Sequence, residues 1–168
     1  MKWKEWLERR GMTSLRITPP FLEMEWAPKD QDKDAAWELY VELLTRTTTQ
    51  RLPADAGDEA AALESIHDLF GLTREIIRRR GRLCLEFSKI AIVILNQKIR
   101  PFTTKWHKEL LEGALDTPAR VSEFRTELGS LQSDLRAYAK MLADMAGVED
   151  LTDLEEPTQP TKHAPARK

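Results

Sequence analysis

Between Arg74 and Lys108 the chain carries ten Lys or Arg residues against two acids, while the remainder carries sixteen against twenty-six. Basic groups gathered in this way can chelate phosphate or carboxylate oxygens through charge-assisted hydrogen bonds. Within the stretch, Arg82, Glu86, Lys89, Asn96 and Arg100 follow a three-and-four rhythm, so on a helix they share one stripe. Arg74, Arg78, Arg79 and Arg80 lie just upstream, and Arg46 with Thr47, Thr48 and Thr49 can converge from an earlier helix. Arg46, Arg78, Lys89, Asn96 and Arg100 are therefore the candidate anion-binding set. Glu38, Glu42, Glu64 and Glu75 on neighbouring helices offer the same bases a plainer use, a structural ion-pair network. Leaving such a charge buried and unpaired costs about 3–5 kcal/mol, so any base in the interior must find one partner or the other.

Other reactive side chains lack partners at motif spacing. Glu64 and His67 make a single Glu-x-x-His pair, half of what a di-iron carboxylate bundle needs on two of its helices. His107 and Glu109 point to different helix faces, and His163 lies near the C-terminus. Cys84, the only cysteine, sits in an apolar run beside Arg82 with no base in view. The sequence holds no His-Glu-x-x-His, Gly-rich phosphate loop, Gly-x-Ser-x-Gly elbow or cysteine pair. The expectation is a non-enzymatic protein with no catalytic residue, no metal ligand and no cofactor. Nucleic acid is disfavoured as a partner, because acids surround the Arg-rich run at 78–82, no aromatics interleave it, and the net charge is -2. Trp3, Trp6 and Trp26 load a peripheral segment with the residue type enriched at interface hot spots. They mark a candidate contact surface for a protein partner or a second copy; capping the core is their other use.

The elements that must position these groups are helical. Trp3, Trp6 and Leu7 predict a short opening helix closed by Gly11. Ser14 to Thr18 and Phe21 to Trp26 alternate around Pro19-Pro20 and predict an extended arm, so residues 1–28 should pack as helix and arm on the helices of the main body. Apolar stripes then predict a helix from Asp30 to about Arg46, and a second opened by Asp58-Glu59 and ended by Arg80-Gly81, where Gly71 can introduce a kink. A third, apolar nearly all round, starts near Arg82 and should bend or break at Arg100-Pro101. Asp116-Thr117-Pro118 opens a fourth that Gly147 ends. The fold class expected is all-α: an up-and-down bundle of about four long helices over 29–147, with a flexible tail over 148–168. At 168 residues this is one domain. The absence of a cysteine pair and of an apolar leader points to the cytoplasm. The longest apolar run, Ile90 to Leu95, is far below the roughly 20 residues that span a bilayer, so no membrane is expected as a partner.

The segments LLTRTTTQ, ALESIHDLF, LTREI and LNQKIRPFTTKWH resemble segments that recur in uncharacterised bacterial helical proteins, some of them associated with mobile-element or antiviral defence gene clusters. The resemblance spans about residues 36 to 110. It implies a bacterial cytoplasmic protein of helical fold, carries over no activity, cofactor or catalytic residue, and directs attention to Asn96, Arg100, Pro101, Phe102, Lys105, Trp106 and His107. Two functions remain open: an interaction or regulatory module that binds a protein partner or self-associates, and a sensor of an anionic small molecule such as a nucleotide.

Overall fold

The computed structural model describes residues 1–155, and these are mostly helical, with no strand among them. Helix α1 spans Trp3–Arg9, α2 Asp30–Leu44, α3 Glu59–Arg80, α4 Leu85–Ile94, α5 Arg100–Leu111 and α6 Pro118–Ala146. Local capping chemistry sets most of these ends. The Asp58 carboxylate accepts from the Ala60 and Ala61 amides at 2.8 and 3.1 Å to start α3, and Gly81, at φ 63°, releases the chain after it. Pro118 occupies the first turn of α6, where its missing N–H is no loss, and the left-handed Gly147 ends the helix. Gly71 introduces no break in α3.

Of the bend or break expected at Arg100-Pro101, the break does not occur. Residues Leu95–Ile99 form one π-helical turn, in which the Arg100 N–H reaches back five residues to the Leu95 carbonyl. A proline removes one helical hydrogen bond and crowds the carbonyl four residues earlier. The wider turn absorbs both defects, so α4, the π turn and α5 run on as one helix.

A single apolar core joins all of these elements, from Trp3 to Met145. Helix α2 packs against α3, α4 and α6, and α5 against α3 and α6. Asp32, a carboxylate buried in this interior, holds two helix starts together. One oxygen accepts the Lys29 amide at 2.8 Å and the other the Phe87 amide at 2.9 Å. The Thr-rich segment after α2 is likewise structural, because the Thr48 and Thr49 hydroxyls donate to the Leu43 carbonyl at 2.6 and 2.8 Å. Gln132 of α6 then clamps that segment through the Thr47 and Gln50 carbonyls.

The extended arm takes a different form. Residues Met12–Leu15 make a 3-10 turn, Arg16 is left-handed at φ 49°, and the segment after Pro20 turns back along the start of the chain. Its only sheet-like feature among the described residues is an isolated antiparallel bridge between Lys2 and Glu25. Phe21 is drawn into the core against Trp3, which breaks the alternation that read as a strand. The start of the expected flexible tail is docked too. The Leu151 amide donates to the Tyr40 hydroxyl at 2.6 Å, that hydroxyl donates to Asp150, and Thr152 is buried. The rest of that tail, 156–168, lies outside the described residues.

Candidate functional site

The basic centre of the sequence divides into a neutralised part and a free part. Arg46 is held by Glu42 at 2.7 Å and faces Asp68 at 3.6 Å. Lys89 donates to Glu86 at 2.8 Å, and the other oxygen of Glu86 accepts the Trp3 indole N–H at 2.7 Å. Arg79 and Arg80 both pair with Glu38, and Arg80 also with Asp34. Arg46 and Lys89 therefore drop out of the candidate anion set, and the ion-pair network accounts for them. Lys105 and Trp106 are also in structural use, since both donate to Glu127 and clamp α5 to α6.

Arg78, Asn96 and Arg100 remain, exposed on the seam between α3 and the α4–α5 helix. The Arg100 guanidinium lies 4.7 Å over the Phe70 ring of α3, and its Nε donates to Asn96 Oδ1 at 3.1 Å. Stacking on an aromatic face leaves the in-plane N–H groups of an arginine free for an acceptor. From Phe70, Arg74 and Arg78 follow at steps of one helical turn, and Arg82 lies in the 3-10 turn that follows α3. Arg74, Arg78 and Arg82 are exposed and have no acidic partner among the described residues. Leu85 and Ile92 stand out from α4 with about half of their surface in solvent, and Leu83 precedes them. The other end of the seam holds His67 of α3, 5.8 Å from Phe70 between ring centroids, and His107 of α5. Burial and the neighbouring His67 hold the His107 imidazole below its ordinary pKa.

Most of the tryptophan surface is turned inward, with Trp26 half-buried. Trp3 and Trp6 are buried, and the Trp6 indole donates to Asp144 at 2.6 Å while Trp26 stacks on Trp6 at 4.7 Å. Burial takes Trp3 and Trp6 out of the expected partner surface and gives them their other use, closing the core, while Trp26 keeps part of its surface in solvent. Trp37 on α2 is the exposed tryptophan, beside Val41 and Leu72 in a shallow hollow of about 320 Å³ whose rim includes Glu42 and Glu75. A larger open hollow of about 610 Å³ lies against the start of α6; its Arg125 is fixed by Glu59 and the Pro53 carbonyl, so its one base is already engaged. Cys84 is buried, its thiol directed to the Gly81 carbonyl at 3.4 Å.

Three members of the seam, Arg78, Asn96 and Arg100, stand in the candidate set read from the sequence, which leaves out Arg74 and Arg82. Their four-residue spacing was visible; which arginines acids would claim was not. Comparison of the chain with protein-family models, curated proteins and solved structures gave no match. No helix among the described residues is long and apolar enough to cross a membrane.

Proposed function

We propose that the protein is a non-enzymatic helical interaction module that docks an acidic segment of a protein partner on the arginine seam between α3 and α4–α5. The observation that carries this reading is that Arg74, Arg78 and Arg82 are exposed and uncompensated while Arg46, Arg79, Arg80 and Lys89 are each held by acids. Free positive charge attracts a complementary surface and steers its approach. Leu83, Leu85 and Ile92 add apolar contact area, and arginine together with apolar groups is the composition of a protein interface. A small-anion sensor fits the seam less well, because small ligands take concave sites and neither hollow described above is lined by Arg74, Arg78 or Arg100. In this reading α2, α3, the α4–α5 helix and α6 form an up-and-down bundle, joined by the connections at 45–58, 81–84 and 112–117, which serves as a rigid support for the docking face.

The test is fluorescence anisotropy of a labelled 15-residue Glu/Asp/Leu peptide, titrated with the wild type and with the Arg74→Glu/Arg78→Glu double variant. The expected result is saturable binding that weakens with salt and falls at least tenfold in the double variant. Both arginines are exposed, so the variant should keep the wild-type circular dichroism. Absence of binding, binding that ignores the charge reversal, or tighter binding of a DNA duplex of equal length would overturn the proposal. A rise in melting temperature with nucleotides that Arg100→Ala abolishes would favour the small-anion sensor instead.

A further inference from the structure

Beyond the arginines, the seam ends in two imidazoles from positions far apart in the chain. The rings of His67 on α3 and His107 on α5 have centroids 4.9 Å apart and planes at 70°. Neither ring makes a hydrogen bond to another described residue. An imidazole binds a transition-metal ion at about 2.0–2.1 Å, which puts the ion about 3.2 Å from the ring centroid. Two rings on one ion, at the roughly 90–109° separating ligands in octahedral or tetrahedral geometry, then have centroids about 4.5–5.2 Å apart. The observed separation falls inside that bracket.

We infer that His67 and His107 form a two-histidine clip for a divalent late transition-metal ion of the zinc, nickel or copper class. Imidazole nitrogen suits these ions, whereas magnesium and calcium demand oxygen donors. No group of three or more His, Cys, Asp or Glu able to hold a metal is present among the described residues. The clip therefore supplies two donors and leaves the remaining positions to water or to a donor brought by another molecule. Because one donor stands on α3 and the other on α5, a bound ion would tie the two helices across the seam. This inference is independent of the docking proposal, and neither stands or falls with the other.

Thermal unfolding of the full chain, free of affinity tags, with and without zinc or nickel ions tests it, with isothermal titration as the direct readout. An ion that binds only the folded state raises the melting temperature as its concentration passes the dissociation constant. The expected result is a rise with zinc or nickel and none with magnesium. A single binding event should weaken at least tenfold in His67→Ala and in His107→Ala, each shown by circular dichroism to be folded without metal. The event should survive His163→Ala, which removes the remaining histidine of the chain. Unchanged binding in either single variant, loss of binding in His163→Ala, or no binding by the wild type would overturn the assignment.

Discussion

Replacing Trp3 decides whether the N-terminal aromatics serve the core or a partner. Trp3 has no solvent-exposed surface, meets the Trp6 and Phe21 rings edge-on at 5.3 and 4.7 Å, and donates its indole N–H to Glu86 at 2.7 Å. Truncation of a buried Trp to Ala costs about 3–5 kcal/mol, through lost transfer energy and the cavity left behind. At roughly 2–4 °C per kcal/mol for a domain of this size, Trp3→Ala should melt about 6–20 °C lower. Trp3→Phe keeps an aromatic body and removes mainly the hydrogen bond to a carboxylate. In full burial that bond is worth about 1.5–3 kcal/mol, and the partial exposure of Glu86 lowers the expected loss to about 1–2 kcal/mol. Urea unfolding followed by circular dichroism gives the free energies, and light scattering of the eluted folded fraction gives the mass. The core assignment requires the graded loss, Ala well beyond Phe, with no change of mass. A Trp3→Ala variant that loses under 1 kcal/mol and changes its oligomeric mass would refute the reasoning and return the tryptophans to an interface.

Three other outcomes are expected. Asp32→Ala strips the buried acceptor from the Lys29 and Phe87 amides and should cost about 2–4 kcal/mol in urea unfolding; a loss below 1 kcal/mol would show that these amides find other acceptors. Tyr138→Phe removes a buried hydroxyl with no hydrogen-bond partner among the described residues, so stability should hold or rise by up to about 1 kcal/mol. A clear loss on that substitution would mean the hydroxyl is satisfied. Because the folded state lowers the His107 pKa, the unfolded chain takes up its proton first as pH falls below about 6.5. That contribution to stability is present above pH 6.5 and is lost as pH drops through the folded value, so His107→Gln should flatten the slope of melting temperature against pH just below 6.5. An unchanged slope would remove His107 from the account.

Helix ends were legible where the chemistry is local. Asp58, Gly81, Pro118 and Gly147 act on amides and carbonyls within a turn of themselves, so the residues that announce each boundary also create it. The N-terminal arm was not legible for the opposite reason: its alternating residues suit a strand, but Phe21 follows the Trp3 ring and the described residues hold no second strand to pair with. Asp32 was invisible because its second partner, the Phe87 amide, is 55 residues away. The histidine pair is a meeting of the same kind, between two helices at positions no motif spans.

The division of the basic stripe has a single geometrical cause. On an unbroken α-helix Lys89 and Arg100 lie within about 20° of each other, at 100° per residue, which is why they read as one set. The π turn at Leu95–Ile99 takes in one extra residue, and the helix beyond it is turned by roughly 100° against the helix before. Lys89 consequently stays with Glu86 on the flank where Trp3 donates, while Arg100 swings to Phe70 and His107, two turns on, to His67. By the same count Arg100 comes within about 40° of exposed Leu85 and Ile92 around the helix axis, at 100° per residue. A proline in the interior of a long helix would otherwise be a fault in the support. Here the turn that absorbs it also sets which side chains α5 presents to α3.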